Sequence, residues 1–373
     1  MKKIILCMVL FFCLLGQTIV YAKESDLDMD SFQQVETVLD EQETDISYTD
    51  IVKQLMKGNV KGTLKIVSKK LYHYLFSVLT NNKKFLKQLI VVGIIAAIFK
   101  NLSDAFFQGS TGETAFYATY VIFMGLMANA FYFLNEAAQN LVSLMLDYMK
   151  GMITAYSIAV VATSGITTST AVYEFYLMVI YGISLLTNSI ILPMVRIIFI
   201  LKIINHLSEE EHFSRLIQTM EWAVGMMLKG AASIVIGVQL IQSMILPAVD
   251  SLKNTAVQKG ISSIPGIGGG LNSIATTILG SAVVIKNSIG AAGILILLIL
   301  VVPPVLQIAG VVLSYMGAGI LLQPISDQRI TGAVDAVIQT GKLMLQTIFT
   351  MSALFILSIA IIAFSTNINY FAG

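Results

Sequence analysis

Between residues 88 and 364 the chain offers seven stretches of mostly apolar residues, at 88–107, 115–135, 141–163, 172–194 (running on to Leu201), 223–246, 289–320 and 343–364. About twenty helical residues cross the roughly 30 Å hydrocarbon layer of a bilayer. Such runs restrict the fold more than any other feature, because backbone polar groups in lipid must be bonded internally. Only 12% of the residues are charged and mean hydropathy is +0.81, whereas soluble domains carry about 25% charge. The predicted fold class is all-α: a polytopic transmembrane helical bundle with an exported N-terminal amphipathic helical segment. Lys100 and Asp104 interrupt the first stretch. The sixth is too long for one simple span, and Pro303-Pro304 in its middle removes backbone donors. It is either one bent helix or two half-helices.

Residues 1–22, "MKKIILCMVLFFCLLGQTIVYA", have the charged start, apolar run and small-residue end of a signal peptide. Both cysteines, Cys7 and Cys13, lie inside it. Its removal leaves no thiol for disulfides, metal ligation or nucleophilic catalysis. Residues 23–50 hold ten acidic residues against one lysine, with sparse apolar residues until Ile46. They read as a flexible, exported acidic arm.

A lysine-rich segment, 51–87, follows. In "VKQLMKGNVKGTLKIVSKK" (52–70) lysines fall at Lys53, Lys57, Lys61, Lys65 and Lys69, with Val52, Met56, Val60 and Leu64 one place before the first four. A step of four residues moves only about 40° round a helix, so the lysines would form one slowly winding stripe beside an apolar one. Gly58 and Gly62 weaken such a helix by roughly 1 kcal/mol each. The segment is expected to lie on a surface: anionic lipid headgroups, an acidic protein partner or the chain's own acidic arm; a solvated face of a small exported domain is the plain alternative. Residues 88–373 form the polytopic membrane domain. An export signal followed by seven spans places the C-terminus in the cytoplasm.

Charges at membrane depth are costly and therefore informative. The candidates are Asp147, Lys150, Glu174, Arg196 and Lys229. Asp147 and Lys150 are three apart and can pair on one helical face. The small-residue stretch 261–293 contains "IPGIGGGLN", where Gly266 and Gly268 permit a tight turn or close helix packing. It lacks the strand, lysine and downstream acid of a nucleotide-binding loop. His206 and His212 flank an acidic loop without metal-ligand spacing. "SIILPMV" (189–195) and "SMILPAV" (243–249) echo each other, as duplicated units do in transporters. No Ser/His/Asp set is visible, so neither an enzyme nor a cofactor or metal site is expected.

The order of features carries a resemblance: export signal, acidic arm, lysine-rich helix, then "SIILPMVRI", "SMILPAVDSLKN", "IPGIGG", "VIKNSIG" and "LLQPISDQRI". Over essentially its whole length the chain resembles the stage III sporulation protein AE family. The resemblance implies a non-enzymatic integral component of a secretion-like channel, or feeding tube, linking mother cell and forespore and needed for forespore development. It implies a place in the mother-cell membrane surrounding the forespore, with the N-terminal segment in the intermembrane space. Implied partners are a secretion-type ATPase, small membrane proteins and ring-forming proteins, besides membrane lipid and with no nucleic acid, in a hetero-oligomeric complex. The alternative is a stand-alone small-solute permease using Asp147, Lys150 and the small-residue segment.

Overall fold

A computed structural model describes residues 32–42, 46–81, 91, 98, 110–164, 166–207, 212–262, 268–324 and 328–365. The signal peptide, the first expected span (88–107, apart from 91 and 98) and Gly266 lie outside the described residues. The helices in order are α1 (Gln33–Glu41), α2 (Tyr48–Met56), α3 (Val60–Asn81), α4 (Ser110–Ser164), α5 (Ile166–Ser184), α6 (Leu192–Leu207), α7 (Ser214–Ser262), α8 (Gly268–Leu322) and α9 (Gln328–Ser365). A π-helical turn, Leu185–Ile191, joins α5 to α6. It precedes Pro193, which has no N–H for the carbonyl of Ser189, and a widened turn absorbs that lost bond. Among the described residues there is no strand, and the all-α fold class holds.

Among the described residues, five helical stretches are long and apolar enough to cross a bilayer: Tyr120–Val161, Ser169–His206, Ser214–Gln242, Gly280–Leu322 and Gln328–Ala363. The expected pair 115–135 and 141–163 is instead one helix, α4, of 55 residues. The intervening "NEAAQN" carries no glycine or proline, and its Glu, Ala and Gln favour helix, so nothing stops it. The Pro303-Pro304 region resolves to one continuous helix, α8, also 55 residues. At 1.5 Å per residue each extends about 80 Å, well beyond the roughly 40–45 Å of a bilayer with headgroups.

α8 is the centre of the bundle, with every residue from Ser288 to Leu297 buried. α9 runs antiparallel to it: a Cβ at Gly290 would meet Ala363 and Ile359, and one at Gly319 would meet Val334 and Ile338. α4 is also antiparallel to α8, since Tyr156 packs at Gly290 while Leu134 and Val312 meet at Gly341 of α9. α6 runs antiparallel to α9, with Thr187 against Met351 before its start and Lys202 against Gln339. α7 runs with α9, joined by Gln239 and Ser358. This level-by-level pairing fixes which charges share a height.

Two expectations for the N-terminal region change. Residues 32–42 and 46–56 are not a loose arm: Phe32, Val35 and Leu39 are buried at helical spacing, and α1 and α2 pack on the bundle. Burying that apolar row outweighs the acidic character of its neighbours. The lysine row is not one helix either. The chain breaks at Gly58, whose φ of 72° lies in the left-handed region that glycine enters without strain. Lys53 sits on α2, Lys57 in the turn, and Lys61, Lys65 and Lys69 on α3.

Candidate functional site: an N-terminal unit anchored to the central helix

The anchoring begins with Glu36 on α1. Its carboxylate accepts hydrogen bonds from the Ser47 and Thr49 hydroxyls, both 2.8 Å, and from the Thr49 and Tyr48 backbone N–H groups. Those amides are unpaired donors at the start of α2, where the helix dipole favours negative charge. Ser47 caps the same helix, accepting from the Asp50 N–H. Partial burial acts to raise the Glu36 carboxyl, but the bonds from Thr49, Ser47 and Tyr48 outweigh it and hold the group below its usual range.

Tyr48, so positioned, is fully buried and donates its hydroxyl to the Ile289 carbonyl of α8 at 2.8 Å. Burial, with Tyr156 and Glu36 nearby, pushes its titration far above the ordinary tyrosine range, so the hydroxyl stays a donor. One turn along, the Tyr148 hydroxyl of α4 donates to the Gly293 carbonyl at 2.9 Å. Two elements, α2 and α4, therefore converge on one stretch of α8. Nearby, α1 lies against α4 so closely that a Cβ at Gly151 would come within 3.2 Å of Gln34 Cβ and of the Val35 nitrogen. Glycine suits this close approach, and a side chain there needs α1 to give by only a few tenths of an ångström.

On this anchored base α3 packs along α8 through buried Thr63 and Val67. Lys53 is half-buried, whereas Lys57, Lys61, Lys65 and Lys69 are exposed. Leu64 and Ile66 stand exposed among them. The surface is thus basic with an apolar inlay, and it is held by the protein's own core.

Asp147 and Lys150 pair at 2.9 Å, as their spacing predicts, on the outer face of α4 with both side chains more than half exposed. The pair therefore sits on the surface of α4 and not in its packed core. Glu174 is exposed on α5 and meets neither residue within ion-pair distance. Pro303 and Pro304 are half-buried within α8, and Gly268 opens that helix. The sequence-selected residues therefore do not converge on one site.

Two further charged groups, Lys286 and Lys202, escaped the sequence reading, whereas Arg196 was among its candidates. Lys286 on α8 is fully buried, one turn before Gly290; the sole signal is a lysine inside "VIKNSIG". Lys202, nearly buried, pairs with Glu221 of α7 at 2.8 Å and bonds Gln339 of α9. Arg196 of α6 donates through Nε to the Asn135 Oδ1 of α4 at 3.0 Å, and Asn135 donates on to Gln139. Among the described residues no group of three His, Cys, Asp or Glu side chains could hold a metal ion.

A family model described as stage III sporulation protein AE matches residues 46–366. The chain belongs to this family. The match starts just before Tyr48 and ends beyond α9, so α2, α3 and the whole bundle are family territory, while α1 precedes it. Within the family, the stage III sporulation protein AE of Bacillus subtilis (strain 168) is 24% identical over 303 residues, covering 81% of this chain and 76% of that protein. No solved structure matches. Membership makes this a sporulation membrane protein, and the family's helical body is the bundle described above.

Proposed function

We propose that this protein is a non-enzymatic docking platform in the membrane that surrounds the forespore, one component of a secretion-like channel joining mother cell and forespore. In this reading the unit formed by α1, α2 and α3 faces the space between the two membranes. Its exposed lysines, Lys57, Lys61, Lys65 and Lys69, with Leu64 and Ile66 between them, receive an acidic surface of a ring-forming component. A secretion-type ATPase and small membrane proteins meet the bundle from the other side and within the membrane.

One observation carries this reading. The basic surface is fixed to the most buried helix through Tyr48 and Ile289, so a load on it is passed to the membrane body. A lysine helix that merely rested on lipid would need no such tie. The test is charge reversal at Lys61, Lys65 and Lys69 together in sporulating cells, with capture of the sister components and forespore development as readouts. Expected are a normal level of the chain, loss of the ring component from the captured complex and arrested forespores. Normal assembly and development would overturn the proposal. Movement of a solute across vesicles by the purified chain alone would favour a permease.

A further inference from the structure

We infer that two copies of this chain pair in the membrane across the α4–α6 seam, with Arg196 of each copy meeting Glu136 of the other. Arg196 is half-buried on an apolar helix and donates Nε to the Asn135 Oδ1 at 3.0 Å. Among the described residues it has no carboxylate partner, and the exposed Glu136 has no cationic one. Two charges of opposite sign are therefore left uncompensated at one place.

Their height is fixed by geometry. Glu136 follows Asn135 in sequence, and Asn135 holds Arg196. The Asn135 amide is tied to Gln139, which turns its carbonyl toward the guanidinium. Beside it, Phe131 and Phe199 stack with centroids 4.0 Å apart and lock α4 to α6. Along the same seam Tyr132 of α4 and Ile197 and Ile200 of α6 are exposed. Glu136 lies one turn beyond Tyr132, so cation, anion and apolar side chains share one outward surface.

A two-fold axis along the membrane normal keeps every residue at its height while exchanging two copies. Opposite charges side by side at one height are self-complementary under that rotation: Arg196 meets Glu136 twice. A lipid headgroup is a poorer occupant. Arg196 is eleven residues, about 16 Å, from the α6 end at Leu207, with exposed Ile200 and Ile204 between. In the other direction the exposed Asp147–Lys150 pair lies eleven residues, also about 16 Å, along α4 from Glu136. An anionic headgroup would in any case leave Glu136 unpaired.

The test places Ile197→Cys in the full-length chain carrying Cys7→Ser and Cys13→Ser, and reads disulfide-linked dimer in native membranes. The parent is expected to cross-link. Glu136→Arg and Arg196→Glu should each lower the yield at least tenfold, because each alone sets like charges together. Co-expressing the two variants should restore it, since the mixed pair carries two arginines opposite two glutamates. Glu136→Arg alters an exposed side chain, so its loss of dimer cannot be blamed on misfolding. Absence of dimer from the parent, unchanged yields in both variants, or no recovery on mixing would each overturn the inference. The last outcome would indicate a foreign helix or an intrachain pair.

Discussion

The Tyr48 hydroxyl donates to the Ile289 carbonyl at 2.8 Å across 241 positions of sequence. A residue of the N-terminal unit is thereby bonded to the most buried segment of the membrane body. Tyr48→Phe removes the donor and keeps the ring. It is expected to loosen the unit by about 1 kcal/mol, the net worth of a buried neutral hydrogen bond. Faster hydrogen exchange in α2 with unchanged exchange in α9 is the expected result; equal effects on both would mean the unit and the bundle unfold together.

Glu36 gives a pH signature. Its carboxyl is held below the usual glutamate value of about 4.3 by the bonds from Thr49, Ser47 and Tyr48, against the opposing effect of burial. A depressed folded value means its stabilisation is complete above the unfolded value and fades as pH falls through the folded one. Exchange protection of the Tyr48 and Thr49 amides should drop in that acid window, and Glu36→Gln should blunt the drop.

The turn at Gly58 separates α2 from α3 with a positive φ. Gly58→Ala has open space for its methyl group, so its cost is backbone strain alone, about 1 kcal/mol. Thermal unfolding in detergent should show that loss, with α3 more affected than α7. A neutral result would mean the turn relaxes freely.

Lys202 and Glu221 pair at 2.8 Å between α6 and α7, where the lysine is nearly buried. Lys202→Met removes the cation that both Glu221 and Gln339 face, but leaves Glu221 partly in solvent, so it should destabilise the bundle by about 1–2 kcal/mol. Adding Glu221→Met should recover most of the loss. A double variant worse than the single would show that Gln339 and Glu221 are not serving the same cation.

Part of this architecture can be read from sequence, because the hydrocarbon layer imposes a length and a composition on each crossing helix. The apolar runs that became α7, α8 and α9 announce themselves that way, and the three-residue spacing of Asp147 and Lys150 is a local relation that a helix makes real. Local signals fail where two elements are joined or split by a single residue's preference. Glu136 to Asn140 looks like a polar break between spans, yet its residues favour helix and α4 runs through. The four-residue lysine spacing looks like one stripe, yet Gly58 divides it, and the exposed lysines are the outer faces of separate elements. The helix around Phe32, Val35 and Leu39 was hidden because acidic neighbours dominate that stretch. Contacts such as Tyr48 with Ile289, or Arg196 with Asn135, link residues far apart in the chain, and no local pattern encodes them.

The account rests on the N-terminal unit being a packed part of the molecule, and the contact of α1 with Gly151 tests it most directly. A Cβ at Gly151 falls 3.2 Å from Gln34 Cβ, close to the roughly 3.5–4.5 Å separation that a disulfide needs. With Cys7 and Cys13 replaced by serine, Gln34→Cys with Gly151→Cys should form an intrachain disulfide in sporulating cells in nearly every molecule, and each single variant should form none. Persistently free thiols at both positions in the membrane-inserted chain would contradict the account.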